Sequence, residues 1–222
     1  MEYTIEGVIN QTLAIRLEAS ESCWATKGSL VSYDESVDWT LKVPGGMGKT
    51  VSRMLSGESL TLTYCTARAP GSVNIASRTP GKVVVWNLEE AGDLVALRGG
   101  FLAAVGEIDI SVTMAKKAGA MFFGGGGLLL QHLSGKGLVF LSVAGDLVEY
   151  NLEQGETILV STGNLAAFQK SVDYSIKSVG GCFKMLFGGE GVFMTRLTGP
   201  GKVLVQSLKR VFQSRGKGGG EA

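Results

Sequence analysis

A five-residue pattern occurs three times in this chain of 222 residues: apolar, aspartate, apolar, hydroxyl, apolar. The copies occupy 37–41, 108–112 and 172–176, so the second begins 71 residues after the first and the third 64 residues after the second. Internal repetition constrains a fold strongly, because every copy is expected to form the same local structure. We therefore predict that the chain is built from three copies of one unit.

Two further markers keep the same spacing, which supports the alignment. They are a glycine turn before an apolar residue and a Leu-Glu step. The turns begin at Gly28, Gly99 and Gly163, and the Leu-Glu steps end at Glu18, Glu89 and Glu153. Copy one carries about four extra residues, which fit at 45–48. The copies run approximately over 8–78, 79–142 and 143–208.

The hydrophobic periodicity is that of β-strands. Leu13, Ile15 and Leu17 alternate with polar residues, and the same period of two returns within each copy. Helical periodicity is short, and its best candidate is 50–55. The 33 glycines lie between the apolar runs and indicate turns. We predict an all-β protein with about five short strands per copy.

A copy of this size buries too little apolar surface to be stable alone. We therefore predict that residues 1–213 form a single all-β domain of three tandem β-lobes in a pseudo-threefold arrangement. Residues 214–222 lack apolar side chains apart from the final alanine, so they are expected to form a flexible tail. A linear array of independent lobes would need linkers, which this sequence does not show.

Composition limits the classes of partner. The net charge is only +1, with 21 basic and 20 acidic residues, so a nucleic-acid partner is disfavoured. Hydrophobic residues make up 45% of the chain and mean hydropathy is +0.22, which favours a homo-oligomer with buried contact surfaces. The apolar runs are too interrupted for a transmembrane segment.

The cysteines and the N-terminus favour a cytoplasmic protein. Cys23, Cys65 and Cys182 are far apart in the sequence and include no Cys-x-x-Cys pair. This usage is typical of reduced thiols buried as small hydrophobic residues. The first residues also lack the basic region and the apolar run of a signal peptide.

The segment from Val43 to Thr50 resembles a phosphate-binding loop, since Gly45-Gly46-Met47-Gly48 is followed by Lys49 and Thr50. Val43 replaces the first glycine of that motif, however, and the flanking residues belong to a β repeat. We interpret Gly45–Thr50 as a glycine-rich loop inserted in copy one.

Repeated carboxylates are the next candidates for chemistry. Asp38, Asp109 and Asp173 could converge on a cation, but their alternation with apolar residues favours solvated or turn-capping carboxylates. The repeated glutamates that end the Leu-Glu steps are expected at turns or strand edges.

His132 is the single histidine, so the chain cannot form a site with several histidine ligands by itself. Its counterpart in copy three is Arg196, which favours a surface position over a catalytic base. We therefore predict no enzyme activity and assign no catalytic, cofactor-binding or metal-binding residue. The three tryptophans, Trp24, Trp39 and Trp86, are expected to lie mostly in the core.

The segment 187–203, which runs from a Gly-Gly-Glu-Gly turn to Gly199-Pro200-Gly201, resembles the altered inheritance of mitochondria protein 24 family. The likeness includes 42–60 and the turn at Gly28 and extends over nearly the whole chain. It implies a double-stranded β-helix, TRAP-like fold, related to the trp RNA-binding attenuation protein and arranged as a ring or around a threefold axis. It supplies no catalytic residues, and no ligand residues can be matched.

Two functions follow as hypotheses. The first is a non-enzymatic structural or interaction protein that self-associates, with a trimer favoured. The alternative is an RNA-binding or small-ligand-binding module that uses the grooves between lobes.

Overall fold

The computed structural model describes residues 2–44, 61–114, 128–178 and 193–210. Strands make up 68% and helices 4% of this part of the chain, which confirms the all-β class. Every described strand pair is antiparallel. The helix candidate at 50–55, the loop Gly45–Thr50, Cys182 and the tail lie outside the described residues.

Copy one contains six described strands, preceded by a strand at the start of the chain. The alternation of Leu13, Ile15 and Leu17 places all three side chains inside, where they are fully buried. The strands are β1 (Glu2–Glu6), β2 (Thr12–Leu17), β3 (Ser22–Thr26), β4 (Leu30–Tyr33), β5 (Val37–Lys42), β6 (Leu62–Ala67) and β7 (Gly71–Ala76).

Copy two has fewer and longer strands. Helix α1 is a single turn, capped by the Asn87 side chain, which accepts a hydrogen bond from the Glu89 amide. The elements are β8 (Gly81–Asn87), α1 (Leu88–Ala91), β9 (Leu94–Leu97), β10 (Phe101–Met114) and β11 (Leu129–Ala144).

Copy three has the same strand order as copy one. Its second and third strands are joined by a short 3-10 turn at Thr162–Asn164. The strands are β12 (Leu147–Leu152), β13 (Thr157–Ser161), β14 (Leu165–Gln169), β15 (Asp173–Ser178), β16 (Phe193–Thr198) and β17 (Gly201–Gln206).

One pairing scheme occurs in each copy. In copy one, β7 pairs with β2 and β4, while β6 pairs with β3 and β5. In copy three, β17 pairs with β12 and β14, while β16 pairs with β13 and β15. In copy two, the single long strand β11 occupies the positions that two separate strands occupy in the other copies. It pairs with β8, β9 and the two halves of β10.

An irregularity in the register also recurs at the same place in each copy. The ladder skips one residue at Val31 in β4, at Leu102 in β10 and at Ala166 in β14. These residues are 71 and 64 positions apart, as the sequence spacing requires. A skipped residue of this kind is a β-bulge, which turns its side chain away from the regular ladder.

Neighbouring copies are joined through their sheets. Strand β10 of copy two pairs with β3 of copy one, and β14 of copy three pairs with β9 of copy two. A ten-stranded sheet therefore includes strands of all three copies. No described strand pair joins copy one directly to copy three, so the pseudo-threefold arrangement stays a prediction.

The core consists of three apolar clusters that cross the copy boundaries. The first copy's cluster includes Leu102, Ala103 and Phe140 from copy two. The cluster centred on copy two includes Ala166 and Ala167 from copy three. Each bulge residue of copies two and three therefore packs into the core of the copy before it.

Candidate interaction surface

The three repeated aspartates occupy equivalent, exposed positions. Each lies across the ladder from a hydroxyl residue, and Asp38 also forms an ion pair with Arg68 at 2.9 Å. The pairs are Asp38 with Thr66, Asp109 with Ser134 and Asp173 with Thr198. Within the described ranges, no group of three histidine, cysteine or acidic residues could hold a metal ion. The aspartates are therefore solvated strand residues.

The repeated glutamates lie at turns or beside them. The amide of Glu18 donates to the Glu21 carboxylate, and the amide of Glu153 donates to the Glu156 carboxylate, both at 2.8 Å. Glu89 instead lies in the first turn of helix α1, where its amide donates to the Asn87 side chain. All three glutamates are exposed.

His132 lies half-buried on β11, 2.8 Å from the Thr113 hydroxyl. Burial and the nearby Lys170 ammonium lower the pKa of the His132 imidazole. The ring therefore stays neutral at neutral pH, and its described hydrogen-bond partner is a hydroxyl rather than a carboxylate that could orient a general base.

Cys23 and Cys65 lie directly opposite each other on β3 and β6. Both are buried and free. The Cys23 thiol donates a hydrogen bond to the Cys65 sulfur, and this bond together with burial raises the pKa of Cys23. A buried neutral thiol is a poor nucleophile. The sequence expectation of small buried residues therefore fits this pair, while the spacing gave no sign that the two would meet.

The Arg210 guanidinium bonds to backbone carbonyls of copy two. Its guanidinium donates to the Ser142 carbonyl at 2.6 Å and to the Arg98 carbonyl at 3.4 Å. Burial lowers the pKa of Arg210 to about 10. These hydrogen bonds join the segment that follows copy three to copy two. The basic pair Lys116-Lys117 lies outside the described residues.

Strand β4 is exposed where its counterparts are buried. Val31 at the bulge is 62% exposed, whereas Leu102 and Ala166 at the equivalent bulges are 2% and 0% exposed. Tyr33 is also exposed, while its counterparts Ala104 and Phe168 are buried. The difference has a structural cause, because β10 and β14 each pair with the preceding copy, whereas the outer edge of β4 has no strand partner among the described residues.

Strand β13 shows the complementary exposure. Leu159 is 58% exposed, whereas its counterpart Val95 in β9 is 3% exposed. The outer edge of β9 is covered by β14, and that of β3 is covered by β10. Among the described residues, β13 is the outermost strand of its sheet, and no strand of another copy pairs with its outer edge. Strands β4 and β13 are thus equivalent to the two strands that pair at each junction between copies, and this junction occurs twice inside the chain.

These two strands also lack the charges that normally protect a sheet edge. The other outer strands of the described sheets carry charged side chains, for which Glu2 and Glu6 in β1 are examples. Strand β4 reads Leu-Val-Ser-Tyr, and strand β13 reads Thr-Ile-Leu-Val-Ser. Charged residues on an edge strand oppose pairing with another strand. Their absence leaves both edges open to an added strand.

Trp39 corrects the sequence expectation of a core tryptophan. Trp86 is buried and Trp24 is half-buried, but Trp39 is 48% exposed. Its indole nitrogen donates to the Tyr33 hydroxyl at 3.1 Å. Strand β5 is the last strand of its sheet, so one flank of the indole has no neighbouring strand to cover it.

Comparisons with known proteins place the chain in a family. The sequence model of the family described as mitochondrial biogenesis AIM24 matches residues 3–208. An uncharacterized protein of Streptococcus pyogenes is 30% identical over 216 residues, which cover 94% of this chain and 86% of that protein. In the part of the chain that the structure describes, no helix has the length and apolar character needed to span a membrane.

A solved structure supports the same assignment. The crystal structure of another Streptococcus pyogenes protein superposes with a TM-score of 0.79 at 26% identity and covers 94% of each chain. The family match extends over nearly the whole chain, as the resemblance at 187–203 had indicated. The chain belongs to the mitochondrial biogenesis AIM24 family.

Proposed function

We propose that this protein is a non-enzymatic structural protein that works by self-association. The observation that carries the proposal is the exposure of β4, whose equivalents in copies two and three are buried at every position. Exposed apolar strand surface of this kind is typical of a contact site between chains. A homo-oligomer is therefore the functional form.

The arrangement of lobes is part of the same proposal. The recurring pairing scheme and the recurring bulge support three equivalent β-lobes. Two equivalent junctions between successive lobes support rotation of each lobe onto the next by the same operation, as in a ring-like, TRAP-like arrangement. Cys23 and Cys65, as free thiols across one ladder, support a reducing, cytoplasmic location.

The mass of the protein in solution tests self-association. Size-exclusion chromatography with light scattering should give a multiple of the 23.3 kDa chain mass, and we expect the trimer. A mass of one chain at all concentrations up to the millimolar range would contradict the proposal.

An RNA-binding role is the second candidate, favoured by the exposed ring of Trp39 beside Tyr33. Aromatic rings of this kind can stack on single-stranded bases. A filter-binding titration distinguishes the two functions, since RNA affinity that falls steeply with added salt supports the second candidate. Binding that Trp39→Ala leaves unchanged would exclude this surface.

A further inference from the structure

We infer that the outer edge of β4 pairs with the outer edge of β13 in a second copy of this chain, antiparallel and head to tail. The inference rests on the proposed self-association and names the surfaces that carry it. In the described part of each chain, β4 and β13 each have one outer edge without a strand partner. The contact is therefore heterologous, and it generates a ring or a filament rather than a twofold dimer.

The register follows from the two junctions inside the chain. Ala103 lies opposite Ala25 where β10 meets β3, and Ala167 lies opposite Ala96 where β14 meets β9. We shift the β10 or β14 residue of each junction by the repeat spacing to copy one, and the β3 or β9 residue to copy three. Both junctions then give the same pair of residues. That pair is Ser32 of one molecule opposite Val160 of the next, with Tyr33 opposite Leu159 beside it.

The bulge supplies an anchor for this contact. Leu102 at the first junction packs into the copy-one core, and Ala166 at the second packs into the cluster centred on copy two. Val31 is the equivalent residue, and in the described part of the chain it stays exposed instead of entering the core of another copy. In the assembled protein, Val31 packs against the copy-three core of the second molecule.

An unpartnered hydroxyl points to the same contact independently. At the first junction, the Thr26 hydroxyl donates to the Phe101 carbonyl at 2.6 Å. The residues equivalent to this pair are Ser161 in copy three and Leu30 in copy one. Among the described residues, the Ser161 hydroxyl oxygen is buried and has no hydrogen-bond partner. In the assembled protein, a change of the Ser161 rotamer brings its hydroxyl to the Leu30 carbonyl of a second copy, which is the acceptor that the single chain lacks.

Disulfide trapping tests the register. Tyr33 and Leu159 are exposed in the single chain, so Tyr33→Cys and Leu159→Cys should not disturb folding. Each variant is made with Cys182→Ser, which leaves the two buried cysteines and one introduced thiol. We expect mild oxidation of a mixture of the two variants to give a disulfide-linked dimer that neither variant gives alone, because directly opposed strand residues are within disulfide reach.

The chain could instead close on itself, and a double variant with both substitutions detects this outcome. A disulfide within the monomer, without linked dimers in the mixture, would overturn the inference. Linked dimers from one variant alone would indicate a twofold contact and would also overturn it.

A charge placed on the edge separates this inference from self-association in general. Leu159→Lys should weaken assembly by at least about tenfold, because a lysine blocks pairing at an open edge. Val148→Lys is the matched control, because Val148 is an exposed apolar residue like Leu159 but lies on β12, outside the proposed contact. An oligomer that Leu159→Lys leaves intact would refute the edge contact and leave the proposed function standing. A wild-type protein that is monomeric would refute both.

Discussion

Single side chains show how the lobes are held together. Arg210 is the clearest case, because its guanidinium bridges carbonyls at Arg98 and Ser142. Arg210→Ala leaves these acceptors without their donor, so we expect the free energy of unfolding to fall by about 1–3 kcal/mol. Urea denaturation measures the change, and Lys27→Ala at an exposed position is the control. Equal stability of the two variants would show that Arg210 contributes nothing to the junction.

His132 gives a prediction about pH. Its pKa is lowered in the folded chain, so the unfolded state binds the proton more readily. The stability contributed by neutral His132 is present above the ordinary histidine pKa of about 6.5 and is lost as pH falls below it. Melting curves between about pH 8 and about pH 5 should show a declining melting temperature as the pH falls. His132→Gln should flatten that decline, and an unchanged slope would count against the assignment.

The bulged strand gives a prediction at the level of elements. Leu102 and Val31 occupy equivalent bulges, but Leu102 is buried in the core of the preceding copy and Val31 is exposed. Leu102→Ala should therefore cost about 2–5 kcal/mol of unfolding free energy. Val31→Ala should change the stability of the single chain by less than about 0.5 kcal/mol. Denaturation of both variants at low protein concentration measures the contrast, and similar losses would contradict it.

The sequence predicted the strands better than their connections. Alternation identified β2 because its inward residues are all apolar and its outward residues are mostly polar. The two long strands β10 and β11 were missed, since five short strands per copy were expected. Gly106 lies opposite Gly137 with both φ angles positive, so the ladder continues where a turn was expected.

The candidate surface was less predictable than the fold. The exposure of β4 depends on whether another copy pairs with its outer edge. The pattern of residues within the strand does not predict such pairing. Leu30 to Tyr33 read as an ordinary strand whose equivalents are buried. Trp39 was assigned to the core by the same local reasoning and is exposed because β5 ends its sheet. Sequence repetition revealed the unit, but the strand pairing was needed to show the unmatched ends.

The whole molecule is best understood as a short series of equivalent junctions. Strand β3 receives β10, and β9 receives β14, which leaves β4 and β13 as the unmatched ends. When chains associate, β4 of one molecule pairs with β13 of another in the same way that neighbouring copies pair within one chain. On this account the assembly needs no contact type beyond those already present within one chain.

Hydrogen–deuterium exchange at β13 tests the central claim most directly. Among the described strands of one chain, the amides of β13 that do not bond to β16 have no ladder partner, and assembly gives them carbonyl partners on β4. We expect these amides to exchange slowly in the wild-type protein at high concentration and rapidly in Leu159→Lys at the same concentration. Equally rapid exchange in both proteins at every concentration would contradict assembly through this edge.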